Sequence, residues 1–128
     1  MDANFSIQVG VGLSLVRITL RGFFEPADVA RFVAARDLAH QQLRCGPNEH
    51  LTLVNITDMQ IQSQESVIEF QRVLSTPETA SKRIAFVVAK SLARSQIQRA
   101  AQARSAGYFQ STEEAEHWLL TGDAAAAA

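Results

Sequence analysis

The sequence predicts an α/β domain: an N-terminal β-hairpin, then β-α-β-α-β-α repeats, giving a mixed, mainly parallel sheet packed with helices. Three stretches carry that prediction. Residues 5–21 alternate apolar with polar or small side chains in two runs parted by glycines, the period-2 signature of half-buried strands. Residues 51–74 run from an apolar strand (Leu51-Thr52-Leu53-Val54-Asn55-Ile56) through a polar connection into an amphipathic helix. Finally, Ile84-Ala85-Phe86-Val87-Val88-Ala89 is apolar without alternation, as a central strand covered on both faces should be.

Taken in order, Phe5, Ile7, Val9 and Val11 share one strand face, and Val16, Ile18 and Leu20 share a face of the next strand opposite Arg17, Thr19 and Arg21. Gly10 and Gly12 permit the reversal between them. This glycine pair is not a dinucleotide fingerprint, because no third glycine follows and the next element is a strand. A first strand with few charges also offers unpaired edge backbone to a second copy, which makes a homodimer the expected assembly.

Pro26 suits a first helical position and Asp28 suits the positive end of the helix dipole. The helix that starts there presents Val29, Phe32, Val33, Ala35, Leu38, Ala39 and Leu43 to the core and is stopped by Gly46-Pro47-Asn48. His40 sits near its polar boundary. With His50 and His117 far away in sequence, no ligand spacing is present, so neither a metal nor a role for His40 is expected.

Ser63 is a natural N-cap for the helix carrying Val67, Phe70, Val73 and Leu74, and Thr76-Pro77-Glu78-Thr79 ends it. Ser91 caps a third helix running to about Ser105, with Gly107 closing it. Tyr108-Phe109 makes a short strand, and Ser111-Thr112-Glu113-Glu114 is a capping box for a last helix anchored in the core by Trp118 and Leu119. Residues 1–123 form one domain, and Ala124 to Ala128 reads as a disordered tail.

Composition excludes several classes of function. A chain of 128 residues buries roughly two thirds of its unfolded surface, enough for a core without metals or disulfides. Twelve basic against thirteen acidic residues leave no global field to attract nucleic acid or an anionic membrane. Cys45 is the sole cysteine, so an internal disulfide and a thiolate metal cluster are ruled out, and a reducing, cytoplasmic setting is expected. Neither a signal peptide nor a long apolar segment is visible, so no transmembrane segment is expected. The six basic and no acidic residues between Lys82 and Arg104 lack interleaved aromatics for base stacking and read as a solvated face, paired with the acidic helix after it.

Order and local sequence together resemble the STAS superfamily, and within it the SpoIIAA-like group, which is related to the CRAL-TRIO lipid-binding fold. The residues that carry the resemblance are Val16-Arg17-Ile18-Thr19-Leu20-Arg21-Gly22, Arg83-Ile84-Ala85-Phe86-Val87-Val88, and Phe109 followed by Glu113-Glu114-Ala115-Glu116-His117-Trp118-Leu119. The resemblance implies a small regulatory or ligand-binding module without a catalytic apparatus or cofactor. Anti-anti-sigma members carry Asp-Ser-Ser/Thr-Gly where the third strand meets its helix, and a serine there is phosphorylated. Here that stretch is Ser63-Gln64-Glu65-Ser66. Gln64 occupies the acceptor position, which puts the switch in doubt and leaves Ser63 and Ser66 as candidate phosphorylation positions.

In open α/β sheets, ligands gather beyond the carboxyl ends of the strands, where helix N-termini point. That rule collects Thr57, Asp58, Gln60, Gln62, Ser63, Gln64 and Glu65 from one connection and Lys90, Ser91 and Arg94 from the next. Asp58 and Glu65 could pair with Lys90 and Arg94, and the surface could meet a protein partner or a second copy. The alternative is a small anionic or lipid ligand, with an enzyme third.

Overall fold

The computed structural model describes residues 2–89, 92–101 and 106–122. The expected tail at 124–128, the Ser91 cap and the helix end near Ser105 lie outside them. The described elements are β1 (Asn4–Gly10), β2 (Leu15–Arg21), α1 (Pro26–His40), β3 (Leu51–Asn55), α2 (Gln64–Leu74), β4 (Arg83–Val87), α3 (Leu92–Ala100), β5 (Ala106–Phe109) and α4 (Thr112–Thr121), with short 3-10 turns at Val11–Leu13 and Pro77–Thr79. None of the described helices is long and apolar enough to cross a membrane.

The sheet order is β1-β2-β3-β4-β5. β1 is antiparallel to β2, pairing Asn4 with Arg21 and Gly10 with Leu15, and the remaining neighbours are parallel. Because the parallel strands add in one direction, right-handed crossovers must place α1, α2 and α3 on a single face. The main core is the result: Val16, Ile18 and Leu20 of β2, Val54 and Ile56, Ile84 and Phe86 meet Phe32 of α1, Phe70 of α2 and Ile97 of α3. Among the described residues, α4 alone covers the opposite face, setting Ala115 and Leu119 on Leu15, Leu51, Leu53, Ala85, Val87 and Phe109.

Local chemistry explains most element ends. Pro26 opens α1 as expected, and Glu25 and Asp28 exchange side-chain and backbone bonds in a capping box. Ser63 and Ser111 cap α2 and α4 by accepting the backbone N–H of Ser66 and Glu114, each at 3.2 Å. Gly122, at φ 73°, ends α4 in the left-handed conformation that favours glycine.

Several expectations need correction. The hairpin reversal depends on Ser14 at φ 51°, not on Gly10 or Gly12, and Val11 leaves the strand for the 3-10 turn. α1 stops at His40, short of Gly46, because Gln41, Gln42 and Leu43 bond carbonyls three residues back and tighten the chain out of the α-helix; Leu38 ends up exposed. Gly107 belongs to β5 and closes no helix. β4 is interior and buried, but the middle strand is β3. Among the described residues the ion pair of the acidic helix goes elsewhere: Glu116 accepts from Arg17 of β2 at 2.6 Å, and the basic stretch meets α4 through Arg83, which donates to the Leu119 carbonyl at 2.7 Å.

Candidate functional site

At the carboxyl edge of the sheet, the connection from β3 to α2 is stitched down along its length. Asn55 Oδ1 accepts from both the backbone and the hydroxyl of Thr57. Gly22, at φ 82° beyond β2, donates its N–H to the Asp58 carbonyl and accepts from Gln60 N, both at 3.1 Å. Gln62 is the centre of this arrangement. Only 7% exposed, it accepts from Phe24 N at 2.7 Å and donates to the carbonyls of Gly22 and Gln60. Its backbone N–H and carbonyl are matched by the side-chain amide of Gln96 on α3, at 2.6 and 2.7 Å.

The expected surface residues divide between outside and inside. Asp58, Gln64 and Glu65 are exposed, and Ser63 is half-buried as the cap of α2. Ser66 is fully buried, and its hydroxyl donates to the Phe24 carbonyl, so a phosphoryl group could reach it only if the first turn of α2 opened. Asp58 faces Arg21 at 3.9 Å, and among the described residues it has no ion pair with Arg94. Lys90 and Ser91 lie outside the described residues. Arg94 borders a groove with Tyr108, Glu114 and Trp118. Two helical residues later, about 200° around the axis, Gln96 faces the 57–62 connection; that rotation points Arg94 away from it.

Two features of this edge are not legible in the pattern of polar residues. Ile61 and Ile68 are 51% and 47% exposed beside the polar side chains. Ile68 stands three and four residues beyond Glu65 and Gln64, so all three share one face of α2.

A second cluster lies at the opposite, amino edge of the sheet, where sequence distance hid it. The rings of His40, at the end of α1, and His50, just before β3, have centroids 4.6 Å apart. Arg36, one turn before His40, keeps only 12% of its side chain exposed and donates to Asp37 at 3.1 Å. Burial first, and then the Arg36 charge, lower the His40 pKa below the ordinary 6.5, with Asp37 opposing. His40 is therefore neutral at pH 7. The i, i+4 spacing of Arg36 and His40 was the available signal. No group of three or more metal-ligating side chains occurs among the described residues. Tyr108, stacked on Phe86 with centroids 5.6 Å apart, has its phenol pKa raised by burial and stays protonated at neutral pH.

With this geometry in place, comparison with known proteins gives a clear result for the fold. A solved structure from Shewanella loihica PV-4, an uncharacterized protein from the DUF3478 family with a SpoIIAA-like fold, superposes with a TM-score of 0.71, covering 93% of this chain and 96% of that one. This chain has a SpoIIAA-like fold. Sequence identity to that structure is 15%, so the likeness extends to architecture alone. Neither a family model nor a curated protein matches the sequence. The SpoIIAA-like frame accounts for the five-stranded mixed sheet and its four helices.

Proposed function

We propose that this SpoIIAA-like chain is a non-enzymatic regulatory module that binds a protein partner, or a second copy of itself, through the 58–65 connection and the first turns of α2. The supporting observation is that Ile61, on a connection already fixed by Gln62 and Gln96, and Ile68, on α2, are about half exposed among Asp58, Gln64 and Glu65. Apolar anchors inside a polar rim are how protein interfaces gain most of their affinity, and a surface fixed beforehand loses little entropy on binding. In this reading the module is cytoplasmic, and Ser63 is the more accessible of the two candidate phosphorylation positions. Lys90, Ser91 and Arg94 belong to the next connection, with Arg94 contributing from the β5 side.

The alternative, a small-molecule or lipid carrier, has a cavity of about 60 Å³ between the sheet and α1 and α2 to draw on. That volume suits a few carbons and not an acyl chain.

The test is cross-linking and affinity capture from cell extract with wild type and the double variant Ile61→Asp, Ile68→Glu, alongside sedimentation for self-association. Both substitutions are on the surface and should leave folding within about 0.5 kcal/mol. The expected result is a discrete complex or dimer that the variant loses. A wild-type monomer that captures nothing, or a complex indifferent to the variant, refutes the proposal.

A further inference from the structure

The cavity of about 60 Å³ sits under α1 and α2 and is walled by Ile18, Val54, Phe70 and Phe86, with Arg36 and His40 among its lining residues. Its chemistry is two-sided. The deep wall is hydrocarbon, whereas Arg36 Nε and His40 Nε2 are buried nitrogens with no hydrogen-bond partner among the described residues. Buried donors normally find an acceptor, and a guanidinium N–H left unmet beside an apolar void calls for an anion. Asp37 takes Arg36 Nη2, leaves Nε unmatched and is itself 55% exposed, so it neutralises the guanidinium incompletely.

The surrounding chain holds these walls in place. Asn48, at φ 61°, donates its side-chain amide to the carbonyls of Pro77 and Ala80, at 2.8 and 2.6 Å, fastening the loop after α2 where Thr79, Ala80 and Ser81 close the cavity. His50, its ring tilted against that of His40, and the Lys82 N–H bond to its carbonyl at 2.7 Å fix the same corner from the β3 side.

We infer that this crevice binds a short-chain carboxylic acid as its anion, with the carboxylate accepting from Arg36 Nε and His40 Nε2 and a tail of a few carbons lying against Ile18, Val54 and Phe86. Size limits the tail, because the cavity accommodates only a few water-sized groups. The apolar wall favours a carboxylate bearing hydrocarbon over a bare oxyanion such as phosphate, which would leave that wall unfilled. The site lies at the opposite edge of the sheet from the proposed partner surface and is independent of it.

The experiment is a titration of the full chain, followed by amide chemical shifts, with sodium acetate, butyrate, octanoate and inorganic phosphate at constant ionic strength. Butyrate should saturate, with shifts centred on residues 36–40, 52–54 and 79–84. Acetate, two methylenes shorter, should bind roughly tenfold more weakly, octanoate no better than butyrate, and phosphate more weakly than either short acid. Arg36→Gln should weaken butyrate at least tenfold. Because the ligand series uses the wild-type chain, it stands even if that variant folds poorly. Non-saturating or dispersed shifts, affinity that keeps rising to octanoate, or phosphate binding as tightly as butyrate would each overturn the assignment.

Discussion

Replacing Gln62 with methionine, which keeps its length and removes its amide, tests whether the stitched carboxyl edge holds the fold together. The side-chain oxygen is the partner of Phe24 N at 2.7 Å, in a buried position. Losing it strands that N–H at a cost of about 1–3 kcal/mol. The amide's bond to the Gly22 carbonyl matters less, because Gly22 O still accepts from Gln60 N. Burying a thioether instead of an amide returns part of the loss, which brings the expected net destabilisation to about 2 kcal/mol. Urea unfolding should show a lower midpoint with an unchanged slope, since the surface exposed on unfolding is the same. Gln62→Glu sharpens the test. Its second oxygen would face the carbonyls of Gly22 and Gln60, so the ionised form is disfavoured in the fold and the carboxyl pKa is raised above its unfolded value. Between the unfolded and the folded pKa the native state holds the extra proton, so stability must fall as pH rises through that window. A methionine variant within 0.5 kcal/mol of wild type, or a glutamate variant with no added pH dependence, would refute this account.

Two further outcomes follow from local geometry. A Cβ on Gly107 would lie 2.6 Å from the Phe109 ring and 3.0 Å from two Trp118 ring carbons, so Gly107→Ala should cost about 1–3 kcal/mol and lower the thermal midpoint; Gly12→Ala, with nothing within 4 Å, is the control and should change little. His40 is protonated less readily in the fold than in the unfolded chain, so stability should decline as pH falls below 6.5, and His40→Gln should flatten that decline in a comparison of unfolding midpoints at pH 5 and 7. Arg36, Asp37 and His50 face the same ring, which makes the difference between wild type and variant, not the absolute slope, the quantity to measure.

The fold was legible because its determinants are local. Alternation at 5–9 and 15–21, the Pro26 start, the Ser63 and Ser111 caps and the unbroken apolar run from Ile84 each prescribe an element without knowledge of its neighbours. What escaped depends on contacts distant in sequence. Gln62 reads as an exposed polar residue until Phe24, Gly22 and Gln96 surround it. Ser66 looks like a hydroxyl available for modification until the Phe24 carbonyl claims it. His40 and His50 lie ten positions apart across a turn, and only the crossover from α1 to β3 brings their rings together. Arg94 illustrates the converse: it sits on the expected connection, yet the helical rotation that gives Gln96 to Gln62 takes Arg94 to the β5 side.

The division of labour between the two sheet faces has a bearing on how the protein is made. α1, α2 and α3 alternate with the strands they cover, so that face acquires its protection as the polypeptide emerges. Among the described elements the other face has only α4, which follows the five strands in the chain. During synthesis, Leu15, Leu51, Leu53, Ala85 and Val87 must therefore remain without their cover until α4 is available, and a nascent chain halted after β5 presents a sticky stripe to chaperones and to other nascent chains.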